Sequence, residues 1–278
     1  KVNIFSNISY LFLLLLFIDF LSLGSGKLTE IAFGISTREI LFGLTFLFSL
    51  PLVFALRREI LGNRFVLFVG FFLLVMAVNV VRGMMSGYET GIILSDVFGY
   101  LYFLLLPVSI ALLYSRERIE FLLKTIVFFC AVWAACSLIL SYFPFFKGSF
   151  GAVLHDFLHE NIICSLTPLH GNGMRVYFHT ASRWLFPAFL FATYFAVCRK
   201  EKWFFYIAVM ALLEAAFFIT YTRSFVLGLI VAVGLFLLLC IILFPVYLKR
   251  LLITWGIALL CGAAILTVIS VTQQFNVF

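Results

Sequence analysis

Polar residues in this chain come in short clusters, and between the clusters run long apolar stretches with no alternation of period two. Nine stretches stand out: 4–23, 40–56, 65–81, 97–113, 121–143, 184–198, 204–221, 225–243 and 251–271. A helix that crosses the hydrocarbon of a bilayer needs about 20 mostly apolar residues, within a range of roughly 17–25. Strands of a membrane barrel would alternate apolar and polar positions, and these segments do not. The pattern predicts an all-α polytopic membrane protein with about nine transmembrane helices, residues 1–278 forming a single transmembrane helical domain. The sixth stretch is short and is expected to begin nearer Ala181. Pro51, Pro107, Pro187 and Pro245 lie in or beside spans, where neighbouring helices re-satisfy the carbonyls that proline frees.

The longest connection runs from about 144 to 182. Within it, residues 149–161 set Phe150, Val153, Leu154, Phe157 and Leu158 on one stripe of a helix, opposite His155, Asp156, His159 and Glu160. Such a helix lies along the membrane surface or packs over the bundle. His155 and His159 are one helical turn apart, but the flanking residues are not those of a zinc-protease helix and no third ligand is evident. The reading is a wet polar face without a metal.

Composition turns the pattern into an exclusion. The chain is 65% hydrophobic and 11% charged, with a mean hydropathy of +1.20. Soluble domains average roughly 45–50% apolar and about 25% charged residues. A cytosolic enzyme, a disordered chain and a secreted disulfide scaffold are thereby excluded. Basic residues then set the orientation. Lys1, Arg57, Arg58, Arg64, Arg116, Arg118, Lys124, Arg199, Lys200, Lys202, Lys249 and Arg250 bunch on one side, 12 of the 19 Lys and Arg. Lys27, Arg38, Arg82, Lys147, Arg175, Arg183 and Arg223 are scattered singly on the other. The bunched side is expected to be cytoplasmic, with the N-terminus inside and the 144–182 loop outside. The net charge of +7 is this topology signal together with attraction to lipid headgroups, so no nucleic-acid partner follows from it. Five of the six cysteines lie in or at the ends of spans, and only Cys164 faces outside, so no disulfide framework is expected.

Function must come from the few polar residues at the outer face. Ahead of the sixth span stand His170, Arg175, Tyr177, His179 and Arg183. Two arginines and two histidines over a span mouth suit an anion, because guanidinium binds phosphate oxygens bidentately; arginines that snorkel to headgroups are the alternative. Arg223 sits in the turn Thr220-Tyr221-Thr222-Arg223-Ser224 between two apolar spans, and arginine at membrane depth usually lines a cavity or pathway. Asp19, Asn79, Asp96 and Glu214 read as buried polar residues that hydrogen-bond between helices, with Asp96 and Arg82 able to pair across their loop.

The segment TYTRSFVLGLIVAVGLFL, with Thr222-Arg223-Ser224 followed by a helix carrying Gly228 and Gly234, resembles the bacterial O-antigen ligase and O-antigen or exopolysaccharide polymerase superfamily. The preceding MRVYFHTASRWLFPAFLFATY resembles that family's outer loop and the span it enters, so the likeness covers residues 174–239. The resemblance implies glycan transfer from undecaprenyl diphosphate at the periplasmic face. A polymerase acts on lipid-linked repeat units, and a ligase transfers to lipid A core. No cofactor and no metal are implied. Partners would be the undecaprenyl-diphosphate-linked glycan, membrane lipids, and a chain-length regulator or other export-system proteins. Arg223 matches the family's turn, and Arg175 or Arg183 would be the second diphosphate-binding arginine. The family's general-base histidine belongs to a large outer loop followed by further helices. The sequence ends at Phe278, where that loop would start, as expected of a fragment of a larger bundle; within the chain His170 and His179 are the candidate catalytic bases. A polysaccharide or lipid transporter is the reading from another class. It would favour internal repeats and midplane charges, which the sequence does not display.

Overall fold

In lipid a backbone has no water to bond with, and the i→i−4 ladder of a helix satisfies its amides within the segment. The computed structural model follows that rule over the residues it describes, which are 2–22, 30–32, 35–89, 100–142, 149–160, 163–168, 174–178, 181–199, 202–220 and 223–273. Helix α1 covers Val2–Ser22, α2 Thr37–Ala55, α3 Arg57–Gly62 and α4 Arg64–Met85. A 3₁₀ turn at Tyr102–Leu104 leads into α5, Leu105–Leu112, and then come α6, Arg116–Tyr142, and α7, Ser149–Glu160. After a hairpin of β3, Cys164–Pro168, and β4, Met174–Phe178, the chain forms α8, Ala181–Tyr194, which runs into a π-turn at Phe195–Arg199. Helices α9, Trp203–Ile219, α10, Arg223–Leu243, and α11, Pro245–Gln273, complete the order. The short strands β1, Glu30–Ala32, and β2, Ile35–Ser36, pair antiparallel between α1 and α2.

Among the described residues six helical segments are long and apolar enough to cross a membrane: Ile4–Ser22, Thr37–Ala55, Arg64–Met85, Arg116–Ser141, Ala181–Arg199 and Pro245–Val271. Shorter apolar helices at Tyr102–Leu112, Trp203–Ile219 and Val233–Leu243 fall at the remaining three expected positions. Part of the fourth expected span, 97–99, lies outside the described residues. The class is therefore a helical membrane protein.

Hydroxyls inside these helices are satisfied by their own helix. Thr45 donates to the Leu41 carbonyl at 2.7 Å, Ser137 to Trp133 at 2.9 Å and Thr193 to Phe189 at 2.9 Å, which lowers the cost of these hydroxyls in an apolar surrounding.

The chain divides into two units, one of Lys1–Leu16 with Thr37–Glu120, the other of Phe17–Ser36 with Phe121–Phe278. In the first, α2 packs against α5, and Arg118 ties the first turn of α6 to α1. Its guanidinium donates to Ser6 Oγ at 2.8 Å, to the Leu112 carbonyl at 3.2 Å and to Asn7 Oδ1, and it lies over the Tyr10 and Tyr114 rings. Tyr10 returns a hydrogen bond to the Arg118 carbonyl at 2.7 Å. Helix α4 has little packed against it and exposes Phe65, Phe68, Phe71 and Val78. Asn79 is accordingly exposed, which corrects the expectation of a buried polar residue: among the described residues no other helix covers that face. Arg82 is exposed as well, and its expected partner Asp96 lies outside the described residues.

The second unit is built round α9, apolar on every side and buried along almost its whole length. It packs against α8 and α11. Small residues let the backbones approach: Ala188, Ala192 and Ala196 recur every four positions and are fully buried, and on α11 Ala258 and Gly262 do the same. A Cβ on Gly262 would stand 3.0 Å from Glu214 Oε2 and 3.3 Å from the Ala211 carbonyl. Indole N–H groups add interhelical bonds, Trp255 to Thr193 Oγ1 at 2.9 Å and Trp203 to Thr254 Oγ1 at 3.1 Å.

Candidate functional site

The long connection of about 144–182 contains, in its described residues, the expected helix and a hairpin. Helix α7 forms where the amphipathic pattern predicts it. Val153 and Phe157 on its apolar stripe are exposed together with Asp156, His159 and Glu160, so part of that stripe faces outward. The following strands pair in register, Cys164 with Phe178, Leu166 with Val176 and Thr167 with Arg175. Cys164, Leu166, Val176 and Phe178 are buried and share one face; Ser165, Thr167, Arg175 and Tyr177 take the other, as strand alternation dictates. Phe178 rests on Trp133 of α6 with ring centroids 4.6 Å apart, which seats the hairpin on the bundle. Burial pushes the Cys164 thiol up to about 12 against an opposing hydrogen bond from the Tyr177 backbone, so it is no nucleophile near neutral pH.

The opposite face of β4 carries Arg175. Arg175 is half-buried, and its Nε donates to the carbonyl of Thr220 at 2.6 Å. Thr220 ends α9, where carbonyls lack intrahelical partners and the helix dipole favours a cation. Its own hydroxyl is turned inward, donating to the Phe217 carbonyl at 2.7 Å. Three residues later Arg223 opens α10. Three residues of chain span at most about 11 Å, so the backbone of Arg223 lies within that distance of Thr220, to which Arg175 is bonded. The first turn of α10 there offers unpaired amide N–H groups and the positive end of a helix dipole, which favour an anion.

Of the two arginines left open upstream, Arg175 reaches this turn, whereas Arg183 sits exposed on the first turn of α8. The Arg223 side chain, His170 and His179 lie outside the described residues. Among the described residues no three His, Cys, Asp or Glu side chains gather as a metal would require.

Below this end, still within the second unit, a cavity of about 110 Å³ is lined by Phe186, Phe189, Phe217, Trp255 and Glu214, among others. Glu214 is 9% exposed, and its Oε2 has no hydrogen-bond partner among the described residues. The interhelical bond expected of Glu214 is therefore not made by that oxygen, because the surface of α11 facing it is Gly262, which has no side chain to offer.

The hairpin itself was missed in the sequence. CSLTP and MRVYF each alternate, and the Gly171-Asn172-Gly173 between them is a turn signal. The chain matches no protein-family model, no curated protein and no solved structure.

Proposed function

We propose that the chain is a polymerase of lipid-linked polysaccharide repeat units, O-antigen or exopolysaccharide, taking glycan from undecaprenyl diphosphate at the periplasmic face of a bacterial inner membrane. The N-terminus is cytoplasmic in this reading, and the three shorter apolar helices bring the spans to nine. The observation that carries it is the hydrogen bond from Arg175 to Thr220, which joins the outer hairpin to the turn ending in Arg223. A diphosphate leaving group gains negative charge as the glycosyl bond breaks, and fixed guanidinium and helix N–H groups stabilise that charge. Arg175 spends one of its five N–H donors on Thr220. Its role is to hold the turn and to set the positive field, and Arg223 contributes the bidentate contact. His170 and His179, on either side of β4, are the bases available to the acceptor hydroxyl.

The test is a gene deletion in the native host, with lipid-linked and surface glycans profiled by gel ladder and mass spectrometry. Lipid A core bearing single repeats supports the polymerase. Long polymer retained on the carrier identifies a ligase instead, and an unchanged profile overturns the glycan reading and leaves the transporter.

A further inference from the structure

At the opposite end of the second unit the structure carries a larger feature that this activity does not use. A groove of about 620 Å³ runs between the end of α8 with its π-turn, the last turns of α10 and the start of α11. Val197, Cys198, Leu239, Cys240, Tyr247 and Leu251 are among its walls. At about 30 Å³ for each water-sized group, it holds roughly twenty such groups in a row, the scale of one acyl chain. It is open on the α10 side, where Leu239 and Leu243 are exposed. The extra residue of the π-turn at Phe195–Arg199 sets Cys198 into this wall, and such bulges are frequent at binding sites.

One end of the groove is basic. Arg199 follows the wall residue Cys198 in the chain, and Arg250 precedes the wall residue Leu251. Arg250 is close enough to Cys198 for the two side chains to interact electrostatically. An apolar trough that ends in cations matches a molecule with a long tail and an anionic head, and a zwitterionic head would gain much less there.

We infer that this groove is a binding site for one anionic phospholipid, whose acyl chain lies along α10 and whose phosphate is held by Arg250 and Arg199. The site is independent of the glycan reaction, being built from the other ends of the same helices.

Two groove cysteines make the experiment direct. The purified full chain in a neutral detergent is treated with N-ethylmaleimide, and alkylation of Cys240 and Cys198 is followed by peptide mass spectrometry. Cys261, exposed and outside the groove, is the internal control. Phosphatidylglycerol at a few molecules per chain should slow Cys240 at least fivefold, while phosphatidylcholine at the same ratio leaves it unchanged and Cys261 responds to neither. Raising the salt should weaken the protection. Replacing both cations, Arg199→Gln with Arg250→Gln, should remove the preference for phosphatidylglycerol. Leu239→Trp, which fills the trough, should slow Cys240 without lipid and leave nothing further for lipid to protect. Equal protection by both lipids means ordinary boundary lipid and overturns the inference, as does protection by neither. Selectivity that survives the double charge substitution overturns the phosphate assignment, and protection by a polyprenyl phosphate alone would make the groove a substrate site instead.

Discussion

Removing the Arg175 side chain tests the joint on which the outer face depends. Thr220 is only 1% exposed, so its carbonyl has no water to turn to when the guanidinium is gone. A hydrogen bond from a charged donor contributes about 1.5–3 kcal/mol. A cation at a helix C-terminus adds about 0.3–1 kcal/mol, and the two overlap because one group supplies both. For Arg175→Ala the loss is about 2 kcal/mol, which at 1.4 kcal/mol per tenfold is roughly a 30-fold shift in the opening equilibrium. The hairpin is held otherwise by Phe178 on Trp133 and by its buried face, so the opening should be local. Hydrogen exchange in detergent, read on peptides covering 163–178 and 216–226, should therefore accelerate by about 30-fold in both regions, with α2 and α4 unchanged. Arg175→Lys keeps the charge near the helix end and loses the Nε geometry, so its acceleration should fall between alanine and wild type. Exchange in the alanine variant within twofold of wild type at both peptides would refute the idea that this bond couples hairpin and turn.

Other perturbations probe separate parts. Arg223→Lys should lower polymer formation by about 10–100-fold despite the retained charge, since an ammonium cannot make the planar two-point contact with a diphosphate; a gel ladder like wild type would remove Arg223 from the site. Gly262→Val should destabilise the α9–α11 contact by about 1–3 kcal/mol, because even its Cβ would be 3.0 Å from Glu214 Oε2 and 3.3 Å from the Ala211 carbonyl; a lowered thermal midpoint of the purified protein is the readout. Arg118→Met strips the donors on Ser6, Asn7 and the Leu112 carbonyl, and about 2–4 kcal/mol of local stability should go with them, seen as faster proteolysis near the N-terminus. For Cys164 the folded thiol titrates near 12 against an ordinary value of 9.0. The unfolded chain thus loses its proton first, and stability is undiminished below pH 9 and falls as pH rises from there towards 12. Maleimide labelling of folded protein at pH 8 should accordingly spare Cys164 and modify exposed Cys198 and Cys261.

What the sequence disclosed follows from what lipid forbids. Helices α1, α2, α4, α6, α8 and α11 were legible because a bilayer imposes both length and composition on them, and their boundaries fall close to the turns marked by polar residues. Whether a helix is covered by others was not legible. Asn79 shows why: lipid and protein interior are equally apolar, so hydropathy treats a buried face and a lipid face alike, and only packing separates them. Glu214 could be seen as costly, but not that Gly262 would be the residue opposite, since that depends on the register of α9 against α11.

The outer site illustrates the same limit at shorter range. Arg175, Arg183 and Arg223 were recognisable one by one, because an isolated cation beside apolar spans needs a reason. Choosing between Arg175 and Arg183 required the hairpin. In a strand, alternate residues point to opposite faces, so the buried set Cys164, Leu166, Val176 and Phe178 obliges Arg175 to the other side. From there it meets the end of α9, whereas Arg183, eight residues on, starts a new helix and is turned to the exterior. A one-residue slip in the pairing of β3 with β4 would bury the arginine and expose Val176, at a cost in both directions. The strand alternation of the hairpin, combined with the Thr220 carbonyl that accepts from Arg175 at the close of α9, is thus what brings Arg175 and not Arg183 to this turn. It also makes the Arg175 and Arg223 variants complementary: the first should loosen the hairpin and the turn together, and the second should leave exchange in the hairpin unchanged while lowering polymer formation by about 10–100-fold. If Arg223→Lys loosened the hairpin as much as Arg175→Ala, both arginines would be structural, and the diphosphate would have to be held elsewhere.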